Sequence, residues 1–494
     1  MMGRYSFNME KTLWTWLTIC TALMAQGGEQ SVAPIGSWHG KLDVGLAKLQ
    51  LVVNIEGSVG ALKATLDSPD QGATGIAIDD ITFENGVLKF AIARLHASYK
   101  GTFNAERDLF VGVFTQGQPM SLDLARSSGV IEPPKRPQIP QGSLPYDVEE
   151  VFYSHDPKAD TNESFRVARQ SDQTSGRVRL AATLTMPRSE GPHPAVVLIS
   201  GSGPQDRDES LLGHKPFLVI ADSLTRSGIA VLRFDDRGTA MSTGDHGAAT
   251  SHDFARDAHA GLLYLKTRQE IDSSKIGLMG HSEGGLIAPI VAAQTKDVAF
   301  VVMLAGPGVD GEQVICLQSR VIGKAMGVSD DVIDSGEKTN RAIFAVMREC
   351  ASFEEARPKI RAELEAAYED LSVDEKKQVG SKRQFVESKE ASLASPWMRS
   401  FLQYDPAPTL AKVTCPVLAL NGSLDLQVVP SQNIPPIKQA LRNNPDAQVI
   451  ELKGLNHLFQ NAETGKVDEY AQIEETFDPK TLRLICDWIA KRFL

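Results

Sequence analysis

The stretch Gly280-His281-Ser282-Glu283-Gly284 decides the fold of this chain. It follows an apolar run at residues 275–279, which predicts a strand, and it precedes a helical pattern at residues 285–293. A serine between glycines at a strand-to-helix junction is typical of a sharp, strained turn that exposes the hydroxyl. The dipole of the following helix favours negative charge at this point. The stretch therefore predicts Ser282 as a catalytic nucleophile at the end of a buried strand.

Two later loops supply the groups that a nucleophilic serine needs. A serine hydroxyl is a weak nucleophile, so it requires a general base, and the base is usually oriented by a carboxylate. His457 follows the strand-like run at residues 448–452, and Asp425 follows the one at residues 416–421. The two residues are therefore predicted to complete a catalytic triad of Ser282, Asp425 and His457.

A glycine-containing loop after the strand-like run at residues 195–200 is the predicted oxyanion hole. Residues 200–205 read Ser-Gly-Ser-Gly-Pro-Gln, and glycines let the backbone approach a carbonyl oxygen closely. The backbone N–H groups of Ser202 and Glu283 are the predicted donors to the oxyanion.

Residues 148–494, which contain the predicted triad, alternate strand-like and helical patterns. Such alternation predicts a mostly parallel sheet with helices on both faces. The charged, helix-forming stretch at residues 311–405 interrupts the alternation and is predicted to be a helical cap over the site.

Residues 36–127 have a different pattern and are predicted to be a separate all-β domain. Apolar and polar residues roughly alternate in short segments, one of them at residues 76–82, and turn-forming residues lie between them. About eight strands would form a small up-and-down barrel or a sandwich. The proline-rich residues 131–147 are predicted to be a stiff linker.

Residues 1–25 have the layout of a secretory signal peptide. Basic residues precede an apolar run at residues 12–24, and small residues follow. The run is shorter than the ~20 residues of a membrane span, so no stable span is expected after cleavage. The protein is expected to be exported, either periplasmic or secreted.

Composition narrows the functional classes. The chain has 494 residues and a net charge of −11, and it contains no long basic cluster, so nucleic acid is not an expected partner. Its five cysteines lack metal-ligand spacing, and His246, His252 and His259 match no established ligand pattern. Neither a metal nor a cofactor is predicted.

Five short segments of the chain resemble the bacterial exported α/β-hydrolases of the serine-aminopeptidase-like carboxylesterase group. They are residues 200–209, 233–238, 280–285, 415–421 and 455–459, which read SGSGPQDRDE, RFDDRG, GHSEGG, CPVLALN and LNHLF. Residues 36–127 are similar to the β-rich N-terminal domain that accompanies many members. The resemblance implies an α/β-hydrolase fold, esterase chemistry without a cofactor, and a small-molecule ester as substrate.

Several alternatives remain open on the sequence alone. An aminopeptidase or thioesterase would use the same triad, and a peptidase would also need a cap carboxylate, such as one among Glu354, Glu355, Glu363 and Glu365, to bind an α-amine. A non-catalytic binding protein on a hydrolase scaffold is the alternative of another class. Trp397, Phe401 and Tyr404 either line an acyl pocket or form the core of the cap.

Overall fold

The computed structural model describes residues 34–43, 48–58, 60–71, 73–127, 134–172 and 176–494. The predicted signal peptide, residues 1–25, lies outside the described residues. The first part of the predicted linker, residues 131–133, lies outside them as well.

The described N-terminal residues form one antiparallel sheet. Its strands are Gly36–Asp43 (β1), Lys48–Ser58 (β2), Ala61–Ser68 (β3), Ala73–Ala77 (β4), Asp80–Glu84 (β5), Val87–Ile92 (β6), Ala97–Asn104 (β7), Leu109–Gln116 (β8), Gln118–Ser121 (β9) and Leu124–Arg126 (β10). Their order is β4-β3-β2-β1-β10-β8-β7-β6-β5, and β9 pairs with β8. The fully buried Trp38 packs against Phe110 with ring centroids 4.6 Å apart.

The sheet is curled, which corrects one strand prediction. β4 and β5 are consecutive in the chain but lie at opposite ends of the sheet. The residues between them bridge the two ends, because the Ile78 amide donates to the Ala64 carbonyl and the Asp79 amide donates to the Ala91 carbonyl, both at 3.0 Å. The predicted strand at residues 76–82 was therefore wrong, since no single strand could serve both edges. One curled sheet agrees with the barrel alternative rather than with a sandwich.

The second sheet is mostly parallel. Its strands are Tyr146–His155 (β11), Arg166–Ala168 (β12), Val178–Pro187 (β13), His193–Ile199 (β14), Ala230–Phe234 (β15), Ile271–His281 (β16), Val301–Leu304 (β17), Val417–Gly422 (β18) and Ala447–Leu452 (β19). The order is β12-β11-β13-β15-β14-β16-β17-β18-β19. Strands β14 to β19 pair in parallel, and the β11, β12 and β13 edge is antiparallel.

Helices cover both faces of this sheet. The helices of the described residues, which include those between β17 and β18, are Thr161–Ser164 (α1), Pro216–Arg226 (α2), Ser251–Lys266 (α3), Glu283–Ala292 (α4), Gly311–Ala325 (α5), Asp330–Glu349 (α6), Phe353–Asp370 (α7), Val373–Val379 (α8), Lys382–Leu393 (α9), Pro396–Gln403 (α10), Ala407–Leu410 (α11), Pro430–Ala440 (α12) and Pro479–Phe493 (α13). Side chains of β14 alternate between two cores, because Val197 packs with α3 and α4 whereas Val196 packs with α2 and α13. The predicted α/β fold class is confirmed.

Helices α5 to α10 lie between β17 and β18, within the segment predicted to be a cap. They have a small core of their own, which includes Phe344, Met347 and Ile360. No helix in the described part of the chain has the length and apolar character that a bilayer span requires.

The N-terminal sheet packs against two loops of the second sheet. Leu49 of β2 shares a buried cluster with Leu212 and Leu458. Arg136 donates to the carbonyl oxygens of Leu212 at 2.9 Å and Ala471 at 2.8 Å. The contact therefore lies directly behind the loop that carries His457.

Candidate active site

Ser282 lies at a strained turn between β16 and α4. Its backbone has φ +52° and ψ −117°, in the left-handed region that non-glycine residues rarely adopt. The Ser282 amide donates to the Leu304 carbonyl of β17 at 2.8 Å, which fixes the turn to the neighbouring strand. This is the strand–turn–helix arrangement that the sequence predicted.

The glycines around Ser282 are required by close packing. A Cβ atom on Gly284 would lie 2.1 Å from the Ile199 carbonyl oxygen and 2.7 Å from that of Ser200. We expect Gly284→Ala to destabilise the protein by about 3 kcal/mol or more, because the backbone carbonyls cannot yield. Circular dichroism should record a fall in Tm of about 4 °C or more.

A matched glycine in the cap controls for this prediction. Gly336 lies in α6 with open space around it, so Gly336→Ala should leave Tm unchanged or raise it. A Gly284→Ala variant as stable as the parent would show that the turn is not packed as described.

Asp425 and His457 meet in the loops that follow β18 and β19. His457 Nδ1 lies 2.8 Å from Asp425 Oδ2, and both side chains are buried. The other carboxylate oxygen, Oδ1, accepts the Gln427 and Val428 amides, each at 2.8 Å. Asn421 Nδ2 donates to Oδ2 at 2.9 Å. The carboxylate is thus held rigidly with one oxygen directed at the imidazole.

The loop that carries His457 is itself braced. Asn456 Oδ1 accepts the Leu458 amide at 3.0 Å and the Gln460 amide at 2.9 Å. A short loop fixed from inside gives the imidazole a defined position at the edge of the sheet. His457 and Ser282 line the same cavity.

The predicted oxyanion donors lie beside Ser282. Ser202 and Glu283 both line the cavity. Among the described residues, the amide nitrogens of Ser202 and Glu283 have no acceptor in the protein, whereas the neighbouring Gly201 amide donates to Glu209 Oε1 at 2.8 Å. The Gly201 amide is therefore already bonded, whereas the Ser202 amide is available as a donor.

Glu209 and His281 form a buried pair that sequence reasoning missed. His281 Nδ1 lies 2.9 Å from Glu209 Oε1, and His281 Nε2 lies 3.0 Å from the His457 carbonyl oxygen. Burial lowers the pKa of the His281 imidazole, yet the charge and hydrogen bond of Glu209 outweigh it, so this pKa lies above its ordinary value. A glutamate in a polar loop gives no sequence signal for this role.

The Glu283 side chain links the turn to the cap. Its Oε1 accepts from Ser251 Oγ at 2.6 Å and from Trp397 Nε1 of α10 at 2.7 Å. Burial raises the pKa of the Glu283 carboxyl, and hydrogen bonds from Ser251, Trp397 and Ser202 only partly oppose the rise. The residue next to Ser282 is thus bonded through its carboxyl to the cap.

The cavity over Ser282 has a volume of about 330 Å³, and both polar and apolar side chains line it. Trp397 and Phe401 line it and stack on each other with ring centroids 5.0 Å apart. Tyr404 does not line it, because its ring packs on His252 and its hydroxyl donates to Thr409 Oγ1 at 2.7 Å. Of the three aromatic candidates, the structure brings two to the site.

The cap carboxylates considered for amine binding are elsewhere. None of Glu354, Glu355, Glu363 and Glu365 lines the cavity. Glu209 and Glu283 are the carboxylates among its described lining residues, and both already accept hydrogen bonds from protein groups. Within the described residues, no group of three or more His, Cys, Asp or Glu side chains is arranged to hold a metal ion.

The geometry and the comparisons together define the class of this protein. Residues 215–352 match the family described as serine aminopeptidase, S33. The chain is 26% identical over 314 residues to esterase EstD of Thermotoga maritima, a match that covers 63% of this chain and 66% of the esterase. It is 28% identical over 265 residues to mitochondrial acyl-coenzyme A thioesterase 2 of Rattus norvegicus, covering 49% and 53% of the two chains.

A solved esterase structure from Pyrococcus furiosus is also similar, with a TM-score of 0.41 and 14% identity over 73% of this chain and 97% of that one. The chain thus spans about two thirds of EstD and about half of the thioesterase. The chain has an α/β-hydrolase fold, and residues 215–352 are similar to a family of serine hydrolases. The predicted resemblance to the serine-aminopeptidase-like group is confirmed, while export remains a prediction.

Proposed function

We propose that this protein hydrolyses carboxylic esters through an acyl-enzyme on Ser282. The observation that carries the proposal is the placement of Ser282 and His457 on one cavity, with His457 Nδ1 held 2.8 Å from the buried Asp425 carboxylate. The similarity to esterase EstD supports the same class of reaction.

The reaction follows from the roles of these groups. Ser282 Oγ attacks the ester carbonyl carbon while His457 Nε2 takes the hydroxyl proton. Asp425 holds the imidazole in the required tautomer and stabilises the imidazolium. The Ser202 and Glu283 amides donate to the oxyanion of the tetrahedral intermediate. His457 then protonates the departing alcohol, and water activated by His457 releases the acid from Ser282.

The lining of the cavity favours an ester over the two alternative substrates. An aminopeptidase needs a free carboxylate for the substrate's α-amine, but Glu209 and Glu283 are already hydrogen-bonded within the protein. An acyl-coenzyme A carries phosphates, and none of the described lining residues is a lysine or arginine. A simple ester needs neither a free carboxylate nor a phosphate-binding cation, so the lining favours an ester over both alternatives.

Substrate panels test the proposal. The purified protein would be assayed with p-nitrophenyl esters of rising acyl length, with acyl-coenzyme A thioesters and with aminoacyl p-nitroanilides. We expect ester turnover to exceed the other two. Turnover of the anilides without turnover of the esters would favour an aminopeptidase. Faster turnover of the thioesters than of the esters would favour a thioesterase. A folded protein inactive on all three would contradict an enzymatic role.

The aromatic wall predicts the acyl preference. Phe401 fills one side of the cavity, so Phe401→Ala should enlarge it and shift the preferred p-nitrophenyl ester to a longer acyl chain. We expect kcat/KM for the longer ester to rise about tenfold relative to the shorter one, as one or two extra methylenes are accommodated.

Phe385 provides the matched control. It lies in α9 beside Tyr368, away from the cavity, so Phe385→Ala should leave the chain-length profile unchanged. If both variants shift the profile equally, the cap as a whole rather than the Phe401 wall sets the preference.

A further inference from the structure

We propose that Glu209 is a positioning residue that couples the oxyanion loop to the nucleophile turn and to the histidine loop. The inference rests on the proposed serine-esterase function and extends it to a carboxylate whose bonds are made within the protein. Glu209 lies in the loop after β14 and is 6% exposed. Its φ of +52° is unusual for a glutamate, and such a conformation persists only where the surroundings determine it.

One carboxylate oxygen serves two of the catalytic loops. Glu209 Oε1 accepts the Gly201 amide at 2.8 Å and lies 2.9 Å from His281 Nδ1. Gly201 lies directly over the nucleophile, because a Cβ atom on it would be 3.2 Å from Ser282 Cβ. By holding the Gly201 amide, Glu209 fixes the orientation of the next peptide unit, which carries the Ser202 donor.

His281 extends the connection to the third loop. Its Nε2 lies 3.0 Å from the His457 carbonyl oxygen, which can only accept a hydrogen bond. The His281 ring stands 4.8 Å from the His457 ring, measured between centroids. A chain of hydrogen bonds thus runs from Gly201 through Glu209 and His281 to the backbone of the general base.

The carbonyl acceptor on Nε2, together with an ionised Glu209 on Nδ1, gives the charge state that we propose for this pair. An ionised carboxylate on Nδ1 and a carbonyl oxygen on Nε2 both require an N–H, so His281 is an imidazolium that Glu209 neutralises. A buried imidazolium without its partner is strongly destabilised. Glu209→Gln therefore changes the protonation of His281 while keeping the size of the side chain.

Kinetics of Glu209→Gln and Glu209→Ala test the proposal. We expect kcat for a p-nitrophenyl ester to fall about 10²-fold in each, comparable to loss of an oxyanion donor, with KM within about threefold of the parent value. Because the oxyanion geometry is what changes, the affinity for a trifluoromethyl ketone inhibitor should fall by a similar factor. A merely structural residue would not lower this affinity in parallel with kcat.

Glu390→Gln is the matched control. Glu390 is an equally buried carboxylate, paired with Arg361 in the cap and away from the cavity. We expect Glu390→Gln to change Tm but neither kcat nor inhibitor affinity. Unchanged kcat in the Glu209 variants, or a fall in kcat with full inhibitor affinity, would overturn the proposal.

A measurement on the unaltered protein covers the case in which the Glu209 variants do not fold. The ¹⁵N chemical shifts of His281, assigned with a His281→Gln variant, should be those of an imidazolium at neutral pH. Shifts of a neutral imidazole would overturn the proposed charge state and coupling. Fluorophosphonate labelling of Ser282 in the same preparation reports separately on the esterase function, so the two proposals can fail independently.

Discussion

Ser282→Ala is expected to lower kcat for ester hydrolysis about 10⁶-fold, the largest effect of any single substitution in this protein. The hydroxyl forms the covalent intermediate, and neither His457 nor the oxyanion donors can substitute for it. The turn itself should survive, because alanine fits where serine does and the Ser282 amide still bonds to Leu304. Initial rates with a p-nitrophenyl ester measure the effect.

An exposed serine in the cap controls for handling and purity. Ser392 lies in α9, and its hydroxyl donates a hydrogen bond to the Lys389 carbonyl oxygen. Ser392→Ala should therefore keep the parental kcat and KM. Residual activity of a tenth or more in Ser282→Ala would assign the nucleophile to another group.

Asp425→Asn carries the second largest expected effect, a fall in kcat of about 10⁴-fold. The amide oxygen could still accept the Gln427 and Val428 amides, which now bond to Oδ1. The NH₂ group would then face His457 Nδ1 and the Asn421 amide donor, and it would force the imidazole into the wrong tautomer. The protein should stay folded while the base loses its function. Steady-state rates and Tm, measured together, separate the two effects.

Asp446→Asn is the matched control for that change. Asp446 pairs with Arg492 at a partly exposed site far from the cavity, and exposed pairs of this kind contribute about 0–1 kcal/mol. Its kcat should equal that of the parent. A loss of less than tenfold in Asp425→Asn would mean that another group orients His457.

Much of the second sheet could be predicted from the sequence, because its buried strands are continuous apolar runs. The run predicted at residues 448–452 lies inside β19, and the run at residues 275–279 lies inside β16. The glycines on either side of Ser282 also predict the turn, since local backbone chemistry decides it. The pairing of His457 with Asp425 was predictable from chain order and from the loops that follow parallel strands, which meet at one edge of a sheet.

Contacts between distant segments were not predictable in the same way. Glu209 approaches His281 from 72 residues away, and no periodicity marks either residue as a partner. The chain leaves β4 and enters β5 at Ile78 and Asp79 because the curled sheet closes there. The alternation of apolar and polar residues does not indicate where such a sheet closes. Whether Trp397 or Tyr404 reaches the cavity depends on how α10 lies over Ser282, and this is decided by the bond from Trp397 to Glu283.

Covalent labelling of the folded protein with a fluorophosphonate probe tests most directly whether Ser282 is the nucleophile. Mass spectrometry of the digested chain identifies the labelled residue. We predict one probe per chain, attached to Ser282, and no attachment in His457→Ala, because the hydroxyl then has no base. A folded protein that is not labelled, or that is labelled elsewhere with Ser282 unmodified, would contradict the assignment of Ser282 as the nucleophile.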